Sequence, residues 1–474
     1  MFKLKINKNQ KISEIQIVEI LFCLFPLTFI IGNLAVSINL VLFILSAFYL
    51  IRKRNLAFRF NNSSWLLIIF FLYFFMSTTV QFLVPGILNN KLQNIELEVN
   101  PILKSFMLLR FSLLIFVIDT LFFNKILDLK KFFLSSLICT SFVSIDIIIQ
   151  YIAGVDIFGN KNFATWNSGP FGDELIAGTY LKNFSFFSFF YIFLIYKNEN
   201  LKKPLLIFII ALNLIAAVLA GNRMPMILFL FGCFIIILLV KNFRLVMSTS
   251  LLIFFSVFIL ISSNDANLKQ NYARFLGDIS ILNLIKIEDW VGNAPKTQTA
   301  EEENLFYEDE MEKPSQPRDI VFLRNSGHFR VFQTAIEMWK ERPLTGFGLK
   351  SFRIKCWDIL EKDNIKRKVT KKPQYLSCGH HPHNYYLEFL SEAGIIGTCL
   401  LLGFFLILFK DSFYYLRKFN KQMNAEMCLL IPVIILFFLE IWPIRSSGSF
   451  FTTWGATFFW INAGILMSAV SKKN

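Results

Sequence analysis

The chain contains four histidines, His328, His380, His381 and His383, and three of them fall within four consecutive residues. Histidine is the side chain best suited to proton transfer near neutral pH, so this run could supply one catalytic base. The same residues allow a zinc site or a purely structural cluster. The pair His381-Pro382-His383 lacks the i,i+4 spacing of a helical metal pair, and no carboxylate recurs beside it. A metal-free site is therefore expected.

Cations stand near the starts of two other apolar stretches. One opens Gly221-Asn222-Arg223-Met224-Pro225, the other Pro443-Ile444-Arg445-Ser446-Ser447-Gly448-Ser449, while the histidine run leads into Asn384-Tyr385-Tyr386. A helix N-terminus presents unpaired N–H groups and a partial positive charge, which favour anions. Asn222, Asn384 and Ser446 or Ser447 are expected caps. Convergence of the three ends would make an anion site, where arginines neutralise a diphosphate through bidentate donors. The simpler alternative is an arginine that reaches up to lipid headgroups. Gly169-Pro170-Phe171-Gly172-Asp173-Glu174 could orient an acceptor hydroxyl or cap the stretch that follows. Lys182 and Arg110 fall inside apolar stretches, where a charge suggests function, although a pair with Asp119 or Asp146 would also account for Arg110.

The elements carrying these groups are apolar helices. Of the 474 residues 55% are hydrophobic, with 57 Phe, and only 17% are charged. Soluble domains carry about 25% charge, so a soluble globule is excluded, as are disorder and a small disulfide scaffold. About 20 apolar residues cross a bilayer as a helix. Such helices are expected at 15–33, 35–51, 65–84, 105–123, 132–154, 175–196, 204–220, 224–240, 244–262, 386–409, 426–442 and 449–469. The expected fold is an all-α polytopic membrane protein of about twelve spans.

The net charge of +15 is topological. With the N-terminus inside, the inside segments hold twenty-two Lys or Arg, and the short outside loops hold Lys91, Lys104, Lys161, Arg223 and Arg445. The positive-inside rule then puts both termini in the cytoplasm. The first apolar stretch lacks a small-residue cleavage site and is expected to remain as a span.

Residues 1–262 form nine spans on this plan, residues 263–385 a large outside loop, and residues 386–474 three more spans. The loop's acidic, proline-bounded part at 300–317 is expected to be a disordered excursion. A helix is expected over Ser326–Arg342, with Phe329, Phe332, Ile336 and Trp339 on one face, stopped by Pro343 and Gly346-Phe347-Gly348. The loop's two cysteines, Cys356 and Cys378, enclose 21 residues. In an oxidising exterior they could pair and clamp the segment before the histidines; otherwise they are free thiols.

This pattern resembles the O-antigen ligase and polymerase superfamily of bacterial inner membranes. Its signature of His, a polar residue, nine residues, Gly, two residues and Gly is met by His383-Asn384 and Gly394-Ile395-Ile396-Gly397. The loop run Arg330, Pro343, Gly346, Gly348 and Phe352 is similar to the family's, although His328 occupies the place where many members have the arginine. Gly221-Asn222-Arg223 is similar to the motif opening the helix two spans before the loop.

The resemblance implies transfer, in the periplasm, of a glycan from undecaprenyl diphosphate to a lipid A–core hydroxyl or, in a polymerase, to another lipid-linked repeat. It implies an inverting reaction without cofactor, nucleotide sugar, metal or nucleic acid. His383 would serve as base or orienting group, with Arg223 and either Arg330 or Arg445 on the diphosphate. Asn384, His328, His381 and Glu174 are further candidates for holding substrate. A transporter or flippase of lipid-linked glycan is the rival from another class. No inverted repeat with matching broken helices supports it, and the cations gather at the rim rather than inside central helices.

Overall fold

The structure, a computed structural model, describes residues 13–83, 101–163, 166–196, 198–278, 327–370, 376–419 and 425–470. Among these residues every regular element is helical, and β pairing is limited to the isolated bridges Val155–Lys161 and Phe163–Trp166. The helices are α1 (Glu14–Cys23), α2 (Phe25–Ile31), α3 (Asn33–Lys53), α4 (Asn62–Leu83), α5 (Pro101–Phe123), α6 (Leu129–Ala153), α7 (Ala177–Ile195) and α8 (Glu199–Leu219). They continue as α9 (Arg223–Leu239), α10 (Arg244–Asn264), α11 (Ala266–Asp278), α12 (Gly327–Glu341), α13 (Phe352–Thr370), α14 (Tyr385–Phe419), α15 (Ala425–Glu440) and α16 (Thr453–Val470).

Seven helices are long and apolar enough to cross a membrane, or eight if the bent pair α1–α2 is one span. In hydrocarbon the backbone must satisfy itself, which a helix does. Side chains such as Leu34, Leu45, Leu245, Leu252 and Leu406 stand largely exposed on these helices, as lipid-facing positions require. The chain is an all-α polytopic membrane protein. Helices occupy the stretches expected as spans, but two of them, α9 and α15, are shorter apolar helices. The first expected span is broken, with α1 and α2 meeting at 47°. Pro26 near the start of α2 supplies the break, because its ring cannot continue the α1 hydrogen-bond ladder.

Helix α7 explains why hydropathy understates this fold. It carries Lys182, Asn183, Ser185 and Ser188, all buried. Several of its polar groups are met by neighbouring helices, although Asn183 Oδ1 has no hydrogen-bond partner. Ser185 donates to Asn213 Oδ1 (2.8 Å), Ser188 bonds Thr140 (2.9 Å), and the Tyr180 hydroxyl donates to Pro26 O (2.8 Å). A helix enclosed by protein needs no lipid-facing stripe, and each such bond contributes roughly 0.6 kcal/mol.

One end of the bundle gathers the residues of interest. Tyr151 at the end of α6 donates to Asp265 at the end of α10 (3.1 Å). Asn167 donates to Leu219 O at the end of α8 (2.7 Å). Glu14–Lys53 and Glu19–Lys131 tie the start of the chain to the end of α3 and the start of α6. Charge-rule topology assigns the first set of ends to one side and the second set to the other.

Within the stretch expected as a large loop, α11 packs on α10, and α12 and α13 form a separate small core. That core contains Val331, Ala335, Met338, Phe347, Phe352 and Ile359. Helix α12 lies close to its expected limits, but its buried face is Val331, Thr334, Ala335 and Met338. The larger Phe332, Ile336 and Trp339 are only half-buried. Small residues let α12 approach Phe347 and Phe352, while the large rings cover the edge. Cys356 and Cys378 are joined in a disulfide with Cα atoms 5.4 Å apart. The stretch 300–317 lies outside the described residues.

Candidate active site

The site is built on a break in α14. Gly394 interrupts this helix at φ +64, separating a first segment that starts at Tyr385 from the long apolar segment. The loop after α12 docks into the break. Ile395 N donates to Pro343 O (2.8 Å), Ile396 N to Leu344 O (3.2 Å), Phe347 N to Ser391 O (3.1 Å) and Gly348 N to Glu392 O (2.8 Å). The approach leaves no room for side chains. A Cβ on Gly394 would lie 2.3 Å from Leu344 O, and one on Gly346 would lie 2.5 Å from Glu392 O. Tyr73 and Ser77 of α4 bind the same junction through Ala393 O (2.9 Å) and Thr345 O (3.1 Å). The Pro-x-x-Gly-x-Gly run and the distant Gly394 are two halves of one backbone joint.

The histidines sit directly before this joint. His383 adopts φ +53, a left-handed conformation that histidine tolerates better than most residues. Its carbonyl accepts from Ser447 N (2.8 Å), which holds the turn. The His381 and His383 rings then lie 4.2 Å apart, and His328 at the start of α12 adds a third ring 4.6 Å from His383. His380 points to solvent. Asn384 caps α14 by accepting from Tyr386 N (3.0 Å) and Leu387 N (3.2 Å). Its amide also donates to Pro443 O (3.0 Å), tying the 443–447 segment to the histidines.

Burial pushes His383 down to about 3, assisted by the neighbouring His381 and His328. His381 falls to about 4, first through burial and then through the charge of Lys350. Loss of solvent also lowers His328. All three imidazoles are neutral acceptors near pH 7. An anion about 5 Å away, at an effective dielectric near 20, would stabilise a protonated imidazole by roughly 3 kcal/mol. That moves a pKa up by about two, so a bound anion would bring His383 back toward the useful range.

Four buried polar atoms around the cluster have no hydrogen-bond partner: His381 Nε2, Ser447 Oγ, Arg353 Nε and Arg445 Nε. Buried polar groups are normally paired, and three of these atoms can donate to an oxyanion. Beneath them, Lys350 Nζ donates to Ser449 Oγ (2.6 Å), and Ser449 donates to Glu388. Glu392 accepts from Lys350 N (2.8 Å) and Phe352 N (3.4 Å). Lys350 and Arg353 escape a sequence search because neither belongs to a distinctive spacing, and Ser447, expected only as a helix cap, instead leaves its hydroxyl unpartnered beside the histidines. The only signal was their proximity to the Gly-x-Gly turn and to Arg445.

The other expected residues are distributed around this centre. Arg445 is not at the start of a helix, because α16 begins at Thr453 and the serines before it make other bonds. Instead its guanidinium closes the end of α15, donating to Leu439 O (3.1 Å) and Glu440 Oε2 (3.0 Å), and it also donates to the Tyr385 hydroxyl (3.0 Å). Lys182 of α7 completes the buried pair with Glu440. Ser446 faces His328 Nε2 (3.4 Å). Arg330 is exposed on α12. Positions two apart on a helix differ by about 200°, so His328, which faces His383, turns Arg330 away.

Asn222 does not cap its own helix. Its Oδ1 accepts from Gly178 N (3.0 Å) at the start of α7, and its amide donates to Leu175 O (3.0 Å), beside the exposed Glu174. Arg223 Nε donates to Asn271 Oδ1 of α11 (2.6 Å). Gly178 and Lys182 lie one turn apart on α7, about 6 Å along the axis. The Asn222–Arg223 corner and the Glu440–Arg445 pair therefore meet the same helix at adjacent turns. Arg110 donates to Thr453 Oγ1 (2.9 Å), and Asp146 accepts from Ile157 N (2.8 Å). Among the described residues, Arg110 pairs with neither Asp119 nor Asp146.

Residues 206–402 match the family model described as O-antigen ligase. No curated protein matches the chain. The matched span contains Arg223, the three clustered histidines and both halves of the glycine joint. This part of the chain is therefore similar to the O-antigen ligase family.

Proposed function

We propose that this protein is a ligase-type glycosyltransferase that moves a glycan from undecaprenyl diphosphate to a lipid A–core hydroxyl at the periplasmic face of the inner membrane, with both termini cytoplasmic. The observation that carries the proposal is the cluster of neutral histidines ringed by unpartnered donors, set inside the family's matched span.

In this mechanism the acceptor hydroxyl approaches the anomeric carbon from the face opposite the diphosphate. The new C–O bond forms as the bond to the diphosphate oxygen breaks, with inversion. The hydroxyl proton passes to His383, and the leaving undecaprenyl diphosphate keeps its electron pair as an anion. Arg223, Ser447 and Arg353 stabilise that charge, an electrostatic contribution that is large in a preorganised, partly dry site. His381 and His328 hold His383 and the acceptor, Asn384 fixes the turn, and Glu174 borders the acceptor entrance. Arg445 acts from below by fixing Tyr385 and the 443–447 segment, and Arg330 remains available to an incoming substrate at the rim. The chemistry needs no metal, since the cations are side chains.

The test is a lipopolysaccharide gel of a deletion strain complemented with variants. His383→Ala and Arg223→Ala should insert normally and fail to restore glycan transfer, with transfer down by about 10²–10⁴ for loss of a general base. Accumulated lipid-linked polymer with bare core supports a ligase. Cores capped with a single repeat would support the polymerase alternative.

A further inference from the structure

A second polar concavity lies at the same end of the bundle. It is a cleft of about 640 Å³ lined by Tyr151, Asn162, Asn167, Asn264, Asp265 and Asn267, with Ile152, Ala266 and Leu268 as its apolar part. Its volume lies within the roughly 300–1,000 Å³ typical of small-ligand sites. The lining contains four asparagines and neither Lys nor Arg, so it is built for hydroxyls rather than phosphate. A carboxamide both donates and accepts, as a sugar hydroxyl does.

The carboxylate of Asp265 is already engaged. Its Oδ1 accepts from Asn267 N and Leu268 N (both 3.0 Å), and its Oδ2 accepts from Tyr151 (3.1 Å). Both carboxylate oxygens are therefore held by the fold, and the groups left to meet a ligand are chiefly the amides. Asn167 is 5% exposed, its amide nitrogen is spent on Leu219 O (2.7 Å), and its Oδ1 has no partner. A buried acceptor left this way is costly unless a ligand donates to it. Between Asn162 and Asn167 the rings of Phe163 and Trp166 stack 5.9 Å apart at 16°, and Phe163 is 67% exposed. An open aromatic face beside a row of amides suits a pyranose ring, whose C–H face is apolar and whose edge is hydroxyl-rich.

The cleft also lies close to the site described above. Leu268 lines it, and Asn271, one turn further along α11, holds Arg223 Nε at 2.6 Å. We propose that this cleft is a subsite for neutral sugar units of the donor glycan, seating the chain while its diphosphate end lies by Arg223. The proposal rests on the glycosyl-transfer function proposed above and adds a glycan-binding site to it.

The test uses the full chain in nanodiscs and two readouts. Saturation-transfer NMR is performed with oligosaccharides released by mild acid from the source cell's own lipid-linked glycan, and transfer kinetics are measured with the intact donor. The double variant Asn162→Ala, Asn267→Ala changes exposed residues, and its melting temperature should equal that of the wild type. It should lose the NMR contacts and raise KM for the full-repeat donor by about fivefold per lost hydrogen bond, with kcat unchanged and a single-sugar donor unaffected. His383→Ala should abolish turnover and keep the NMR contacts. Unchanged contacts and KM in the double variant would overturn the subsite. If the wild type binds the oligosaccharides through the cleft and transfers nothing, the glycosyl-transfer function falls and the subsite stands.

Discussion

At the scale of single residues, the site depends on histidines kept neutral mainly by burial. The folded His383 binds its proton less readily than the ordinary value of 6.5, near 3, mainly through burial. The unfolded chain therefore takes up protons first on acidification, and stability falls as pH drops from about 6.5 toward 3. His383→Ala should flatten the thermal-stability profile of the empty protein across that window, measured by scanning fluorimetry in detergent. An unchanged slope would show that His383 is solvated. Ser447→Ala and Arg353→Gln should each weaken competition by inorganic pyrophosphate by about ten- to a hundredfold, since a hydrogen bond to a charged group contributes about 1.5–3 kcal/mol. Both should leave the fold intact. The histidines were legible because four of a rare residue type fell in one polar stretch. Arg353 was not, and Ser447 was legible only as a helix cap, because only the three-dimensional turn at His383 brings the two beside the histidines.

Elements set the precision of the site. The break at Gly394 and the turn at Gly346 exist because two backbones cross with no space for a Cβ. Gly394→Ala combines a left-handed φ with a contact of 2.3 Å to backbone. It should cost about 1–3 kcal/mol or more and abolish activity together with the thermal transition of the α12–α13 unit. Gly397→Ala should be milder, because its φ is not left-handed and a Cβ there meets side chains, Ala393 Cβ at 2.6 Å and the Tyr73 ring at 2.9 Å, rather than backbone. Beneath the site, Glu440 serves two buried cations, Lys182 and Arg445. Glu440→Ala leaves both uncompensated and should destabilise by about 3–5 kcal/mol, whereas Lys182→Met removes one charge of the set and should cost less. Helix positions were legible from apolar runs long enough to cross a bilayer. The Asn222 cap, the role of Arg445 and the buried face of α12 were not, because each depends on which neighbour the side chain meets. Asn222, for example, satisfies the orphan amide of Gly178 on another helix instead of its own.

On the scale of the whole molecule, one end of the bundle collects the histidines, the Asn222–Arg223 corner, the buried Glu440 pair and the polar cleft. The disulfide Cys356–Cys378 tethers the α12–α13 unit over this end. Closing a loop of 21 residues is worth about 3 kcal/mol in chain entropy. Reduction or Cys378→Ser should loosen that unit, read as faster amide exchange in α12 and α13, and lower transfer while the apolar bundle stays folded. The general plan of an apolar bundle with one polar elaboration was readable from composition. How the ends meet was not, because contacts such as Tyr151–Asp265 span more than a hundred residues.

The most direct measurement is transfer by the purified full-length protein in nanodiscs, supplied with undecaprenyl-diphosphate-linked glycan and lipid A–core in the presence of EDTA. The wild type should join the two and release undecaprenyl diphosphate, while His383→Ala binds donor and forms no product. Product formation by His383→Ala at the wild-type rate, or a wild-type reaction that stops when EDTA is added, would contradict the account.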